Sequence, residues 1–514
     1  MGEQKTDQKV MNRWLIVVGA LLIQLCLGAI YSWGAFTGAL QTKPVDALLK
    51  SSPELLGLKE GKQEAYASKK AEIKKEYGEL KAVLKAARKE RDAAKMKAAK
   101  KAVDDFRSEA LSDEWIAATF DKAKFDKQVF NFSATQTSWI FSAGLAAFAL
   151  VMILAGRWQD KAGPRIVAIT GGAVLGAGYI LAGLTGTSFP LMLILIGLVG
   201  GAGIGLGYVC PIACAVKWFP DLKGLIAGLA VAGFGAGAFI FVKLAGPWAG
   251  LIPNLGVNMT FIIFGAIFAI TVIGGAMLLV NPPEGYKPAG WDPAKAAGGA
   301  SKPKVVDLTQ GEIVKTAKFW MMWLAFVGSA GCGLMVIKCL KNFGEFEGGL
   351  TVAAAGSALG LLSLFNGLGR VVWGTVSGKL GARLSLVVMC FLQAGMMFVL
   401  LGMGSNVWTL GVAACWIGFN FGGNFALFPL LTAESFGTKS LGANYGAVFT
   451  SYGVGGILGP YLAGAMWDTM GTYKIAFIIG GAACIAAAVL GMMIGKGKVA
   501  EAKAELKAAA KAEA

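Results

Sequence analysis

Apolar windows of about 20 residues or more recur along this chain, the length that crosses roughly 30 Å of hydrocarbon at 1.5 Å of helix rise per residue. Twelve can be read off, near 14–38, 134–155, 165–185, 189–216, 222–246, 259–281, 319–340, 350–377, 383–403, 407–432, 441–467 and 474–495. Inside lipid each backbone polar group must be satisfied within its own segment, so the windows predict helices. The fold class is therefore an all-α polytopic membrane protein. Composition agrees, since 514 residues that are 55% hydrophobic and only 15% charged carry too little charge for an ordinary water-soluble chain. The first window follows Lys5, Lys9 and Arg13. Its apolar run is longer than a signal peptide's and no small-residue cleavage site follows, so it reads as a span and not as a leader.

Lysine and arginine set the orientation. With the amino terminus inside, the inner loops and both tails hold 22 Lys and Arg, while the outer ends, one long insert apart, hold only Lys243, Lys338, Lys341 and Lys474. Both termini are expected in the cytoplasm, with the spans in a bacterial inner membrane. The net charge of +17 is largely this bias, so nucleic acid is not an expected partner. The lipid bilayer is.

The insert, residues 41–132, is dense in charges of both signs and is expected outside the membrane, opposite the termini. Within it Ile73, Tyr77, Leu80, Leu84, Ala87, Ala94 and Ala98 follow a three-and-four spacing that Arg91 interrupts. That spacing predicts a long helix or a helical hairpin. It is either a solvated cap or a docking surface for an envelope partner. The chain thus divides into 1–40 (tail and span 1), 41–132 (insert), 133–281 (spans 2–6), 282–318 (a cytoplasmic linker rich in Pro, Gly, Ala and Lys), 319–495 (spans 7–12) and 496–514 (a charged tail expected as a solvated helix).

A short pattern occurs twice. GRWQDKAGPR after span 2 places Gly156, Asp160, Lys161, Gly163 and Arg165 in a tight cytoplasmic turn, and GTVSGKLGAR after span 8 places Gly374, Lys379, Gly381 and Arg383 in the same frame. This is an internal repeat. The second copy has Gly378 where the first has Asp160, a residue able to cap a helix start or to pair with a basic residue across the span interface. The first copy resembles the signature G-x-x-x-D-[RK]-x-G-[RK]-[RK] of the major facilitator superfamily, departing from it only at Pro164. The resemblance covers all but the insert. It implies two six-helix halves rocking about a central site, with the repeated turns as gates that do not touch substrate.

Arg370 is a permanent positive charge in the otherwise uncharged segment from Leu350 to Ser377. Such a charge at bilayer depth costs at least a few kcal/mol unless something answers it. It reads most directly as a seat for an anion, the alternative being an arginine satisfied by backbone carbonyls. Three further stretches resemble one subgroup, the oxalate/formate antiporter family, which is related to the monocarboxylate transporters. They are QLCLGAIYSWGAF in span 1, GIGLGYVCPIACAVKWFPDLKGLIAGLAVAGFGAGAF across spans 4 and 5, and NPPEGY after span 6. The resemblance makes Arg370 the carboxylate-binding cation, and its guanidinium can offer a carboxylate two parallel N–H donors. It also places aromatic groups around the anion at Tyr31, Tyr208 and Trp416. Gln24, which shares a helix face with Tyr31, and Asn420 and Tyr452 are further candidates for the cavity.

The departures from that family carry information. Oxalate-exchanging members pair the arginine with a lysine in span 11, where this chain has Tyr452 or Ser451. A lone cation balances a monocarboxylate but leaves a dicarboxylate with uncompensated charge. Lactate, pyruvate, glyoxylate or formate are thus the expected substrates, with oxalate/formate exchange as the alternative. Proton-coupled relatives carry an aspartate one turn before the arginine, and here that position is Asn366. No acid lies deep in any span, Glu434 standing at the cytoplasmic end of span 10, which leaves exchange for a counter-anion, a uniport, or a proton carried on the substrate or on water. Lys338 and Lys243 read as snorkelling or outer-gate lysines. The eight cysteines lie in spans without metal or redox spacing, histidine is absent, and nucleophile elbow, phosphate loop and acid pair are missing. Neither an enzyme, nor a metal, nor a cofactor is expected. A transporter-like sensor that uses the insert to reach a partner is the alternative of another class.

Overall fold

The computed structural model describes residues 11–90, 93–246, 248–283, 286–288 and 307–494. Most of the linker and the tail 496–514 lie outside them, as does the side chain of Ala94 in the insert stripe. Among the described residues the single β feature is an antiparallel bridge between Leu58 and Phe120. Everything else regular is helical.

Eleven helices among the described residues are long and apolar enough to cross a membrane. They are Trp14–Leu40 (span 1), Thr135–Ala162 (span 2), Pro164–Leu184 (span 3), Phe189–Trp218 (span 4), Lys223–Ala245 (span 5), Leu251–Met277 (span 6), Ala317–Glu345 (span 7), Ala354–Leu380 (span 8), Ala382–Gly402 (span 9), Val407–Phe436 (span 10) and Lys474–Met493 (span 12). The segment expected as span 11 forms the 30-residue helix Leu441–Met470, which is not one of those eleven. Its glycines, Asn444, Ser451 and three tyrosine positions dilute the apolar run. The helix is nonetheless present in the expected place. Span 6 begins earlier than its apolar window and bends at Gly256, whose φ is +79°. Span 1 is interrupted by the 3-10 segment Gly28–Ser32, which carries Tyr31.

Spans 1, 5 and 6 pack together, as do spans 2 and 4 and spans 3 and 6; in the second set span 8 packs on span 10, span 7 on spans 11 and 12, and span 9 on span 12. The two sets meet along two seams, span 2 against span 11 and span 5 against span 8. Small residues let the backbones approach at these seams. A methyl group at Gly156 would lie 2.1 Å from the Gly442 carbonyl oxygen, and one at Gly374 would lie 2.5 Å from that of Gly224.

The repeated turn recurs in three dimensions. Gly163 and Gly381 end spans 2 and 8 at φ +87° and +81°, a backbone region that glycine enters without penalty. Arg165 then donates to the carbonyl of Met277 at 2.8 Å, at the end of span 6, and Arg383 donates to those of Met492 and Ile494 at 3.3 and 3.0 Å, at the end of span 12. Lys161 and Lys379 are exposed. The copies differ at the acid. Asp160 accepts from the backbone N–H groups of Gly442 and Ala443 at 3.3 and 2.9 Å, capping the start of span 11 from the opposite set of spans. Of the two roles its sequence allowed, capping is the one the geometry realises. In the second copy Gly378 stands in the place of that acid and has no carboxylate to offer.

The insert folds into short helices around the hairpin of Gln63–Glu90 and Ala93–Glu109. Ile73, Tyr77 and Ala87 of the expected stripe are buried, and a separate small core gathers Val45, Leu48, Leu56, Ile73, Ile116 and Phe120. Asp46, fully buried, accepts from Arg107 Nε at 2.7 Å, and Arg107 also donates to the Gln41 carbonyl at 3.1 Å, tying the hairpin to the end of span 1. Burial opposes the charge of Arg107, but the hydrogen bond and charge of Asp46 more than offset it and raise its pKa.

Candidate functional site

Asn366 and Arg370 stand one turn apart on span 8, hence on one helix face. Arg370 is fully buried. Its Nε donates to Asn366 Oδ1 at 3.1 Å, and one terminal nitrogen donates to the Val231 carbonyl of span 5 at 3.0 Å. The guanidinium lies 4.2 Å from the centroid of the Phe425 ring and 5.1 Å from that of Phe234. Aromatic faces attract a cation, by about 2 kcal/mol when desolvated, which offsets only part of the several kcal/mol that burying it costs. No carboxylate lies within ion-pair distance of it among the described residues. The second terminal nitrogen has no hydrogen-bond partner. The charge is thus partly held by the protein, through one backbone carbonyl and one amide, and partly left free.

Phenols gather around that free side. The Tyr31 and Tyr452 hydroxyls are hydrogen-bonded to each other, joining span 1 to span 11. Tyr208 of span 4 packs edge-on against Phe148 and Phe234, with ring centroids 5.1 and 5.4 Å away. Its hydroxyl lies close to both the guanidinium and the Tyr445 hydroxyl and interacts with each, yet neither phenol makes a well-formed hydrogen bond. Gln24 donates from Nε2 to the Tyr208 carbonyl at 3.0 Å, while its Oε1 and the Asn366 Nδ2 are also unpartnered. Buried polar groups are normally satisfied, so a cluster of free ones around one cation points to a ligand.

The structure therefore brings together Gln24, Tyr31, Tyr208, Asn366, Arg370 and Tyr452. Two expected members stand elsewhere. Trp416 is 39% exposed and donates to the Leu392 carbonyl at 3.2 Å. It lies five residues before Phe421, roughly 140° round the helix from the inward face. With Trp408 and Phe365 it lines a lateral groove between spans 8 and 10. Asn420 is buried and accepts from Trp373 Nε1 at 3.2 Å, so its oxygen orders an indole, while its Nδ2 makes no hydrogen bond. Of the two span 11 positions, Tyr452 faces inward, whereas Ser451 donates to the Val448 carbonyl of its own helix at 2.6 Å. Lys338 reaches across the two sets of spans to Ser138 Oγ at 3.1 Å, and Lys243 lies over Phe239.

Sequence reasoning missed Tyr445, the Val231 carbonyl and the flanking rings of Phe234 and Phe425. A signal for Tyr445 existed, since it stands seven residues before Tyr452 and so shares its helix face.

The Major Facilitator Superfamily model matches residues 113–460 and 347–513. The chain belongs to this superfamily. An uncharacterized MFS-type transporter, YhjX of Escherichia coli K12, is 31% identical over 329 residues, 62% of this chain and 76% of the relative. The oxalate:formate antiporter of Oxalobacter formigenes is 31% identical over 332 residues, 63% of this chain and 74% of its own. The human organic anion transporter MFSD10 superposes with a TM-score of 0.57 at 15% identity, over 94% of this chain and all of that one. This superfamily chain is accordingly a transporter and not an enzyme, built on the fold those matches share.

Proposed function

We propose that this superfamily member is a secondary active carrier of small monocarboxylates, such as lactate, pyruvate, glyoxylate or formate, crossing the membrane twelve times with both termini in the cytoplasm of a bacterial inner membrane. The observation that carries it is the state of Arg370: buried, without a carboxylate partner, with one terminal nitrogen free and free phenols facing it. A carboxylate laid against that nitrogen completes the ion pair and accepts from Tyr208 and Tyr445. One negative charge neutralises the site. A dianion would keep one charge uncompensated, because Tyr452 or Ser451 stands where the resemblance expects the second cation of an oxalate exchanger. Similarity to the oxalate:formate antiporter supports a carboxylate substrate and makes oxalate the competing reading.

The two sets of spans act as rocking halves about this cluster, with the seams carrying Gly156 and Gly374 as inner gates and the Lys338–Ser138 contact as an outer one. Asn366 cannot take a proton, so coupling through a carboxylate beside the arginine is not available. Counterflow in proteoliposomes tests the whole reading, using a panel of short carboxylates with and without a pH gradient. Lactate or formate should exchange, and Arg370→Ala should abolish it. Oxalate competing as strongly as lactate would overturn the monoanion assignment, and binding without flux would favour the sensor.

A further inference from the structure

The last described stretch of the linker sits on the inner gate. Leu308, 1% exposed, donates its backbone N–H to the Phe436 carbonyl at 3.0 Å and accepts from Asn444 Nδ2 at 2.9 Å. Asp307 accepts from the Lys439 backbone N–H at 2.9 Å. Gly437 between them has φ +86°, and a methyl group there would lie 2.3 Å from Asp307 Oδ1. After Leu308 the chain forms a capping box of Thr309 with Glu312 and the short helix Gln310–Ile313. Ile313 is fully buried. Gln310 then accepts from Arg157 Nε, on span 2 of the other half.

These contacts surround Gly442 and Ala443, whose N–H groups Asp160 caps. Asn444, next along span 11, is fully buried, and its amide is engaged by Leu308. The linker end therefore grips the residues on both sides of the Asp160 docking point. Its grip on the second half is through backbone and buried groups. Toward the first half it offers the exposed side-chain contact of Gln310 with Arg157, of a kind worth about 1 kcal/mol or less.

We infer that Asp307–Ile313 is a cytoplasmic clasp: it stays fixed to the second half, presents the start of span 11 to Asp160, and lets go of span 2 at Arg157 each time the cytoplasmic side opens. This rests on the rocking-halves reading above, and one of its two readouts needs no substrate. In that readout, hydrogen–deuterium exchange of the purified full chain is followed at Gly442 and Ala443. Asn444→Ala removes the partner of the buried Leu308 carbonyl, and should speed exchange at those two amides by about tenfold, the scale set by a buried group losing its hydrogen bond. Unchanged exchange would overturn the clasp, whether or not any carboxylate is transported.

The second readout compares two cysteine pairs, joined by a short bis-methanethiosulfonate reagent in proteoliposomes with linkage verified by mass. Joining Arg157→Cys to Gln310→Cys should stop counterflow, and reductant should restore it. Joining Asp307→Cys to Lys439→Cys, both on the second half, should leave counterflow unchanged. Full counterflow with the first pair joined, or loss of it with the second, would mean that the segment does not part from span 2 as described.

Discussion

Arg370 meets the protein with one amide, one carbonyl and two aromatic faces, and retains a terminal nitrogen with no partner. Lysine at this position keeps the charge but loses the planar fork. Arg370→Lys should therefore lower kcat/KM for counterflow by about ten- to a hundredfold, the cost of a charge-assisted hydrogen bond, while the protein still folds. Tyr445 gives a more discriminating test. Its hydroxyl is buried and unpartnered without ligand, so removing it relieves a desolvation penalty in the empty carrier and withdraws a donor from the occupied one. Tyr445→Phe should leave Tm equal or higher while raising KM by about two- to tenfold. A lowered Tm with unchanged KM would make the phenol a packing group. Arg370 and Asn366 were legible because a charge and an amide one turn apart stand out in an apolar run. Trp416 was misplaced because its contact with Leu392 depends on the phase of span 10 against span 9, which a helix's own sequence does not report.

Spans 2 and 11 touch where neither backbone has a side chain to keep it away. Gly156→Ala would put a methyl group 2.1 Å from the Gly442 carbonyl, an overlap relieved only by parting the helices. The expected cost to the cytoplasm-closed arrangement is about 1–3 kcal/mol, read as faster thiol labelling of a cysteine placed at the inner end of span 11. The repeat predicts the same direction at the other seam for Gly374→Ala, whose methyl group would lie 2.5 Å from the Gly224 carbonyl oxygen. A smaller effect at Gly156 than at an exposed glycine such as Gly395, which has nothing near its Cβ position, would contradict this account. The repeated motif was visible as text. Its acceptors were not, since Met277, Met492 and Gly442 lie far along the chain and carry no side-chain signal for the carbonyls and N–H groups that the motif uses.

The whole molecule is two sets of spans joined at two seams, with the insert built on the first set. The insert holds Gln41 at the end of span 1 through Arg107, lays Gln128 2.9 Å from the Cβ position of Gly256 on span 6, and sets Phe132 edge-on to Phe189 at the start of span 4. It should then move as one body with the first half. Asp46→Ala would leave Arg107 without its main partner, and should destabilise the insert by about 3 kcal/mol. Faster limited proteolysis between residues 44 and 130, with counterflow unchanged, is the expected outcome. Loss of counterflow would make the insert part of the carrier's working parts.

Span positions, the repeat, the helical insert and the isolated cation all follow from local pattern, because hydrophobic length, turn chemistry and intramembrane charge are properties of a few dozen contiguous residues. Which groups surround that cation, which helix Asp160 caps, and what the linker end holds depend on how helices distant in sequence come to lie side by side. Those contacts run through backbone atoms, glycine clearances and helix phase, none of which leaves a mark in the order of side chains. Packing alone placed the Val231 carbonyl beside Arg370 and turned Trp416 away from it.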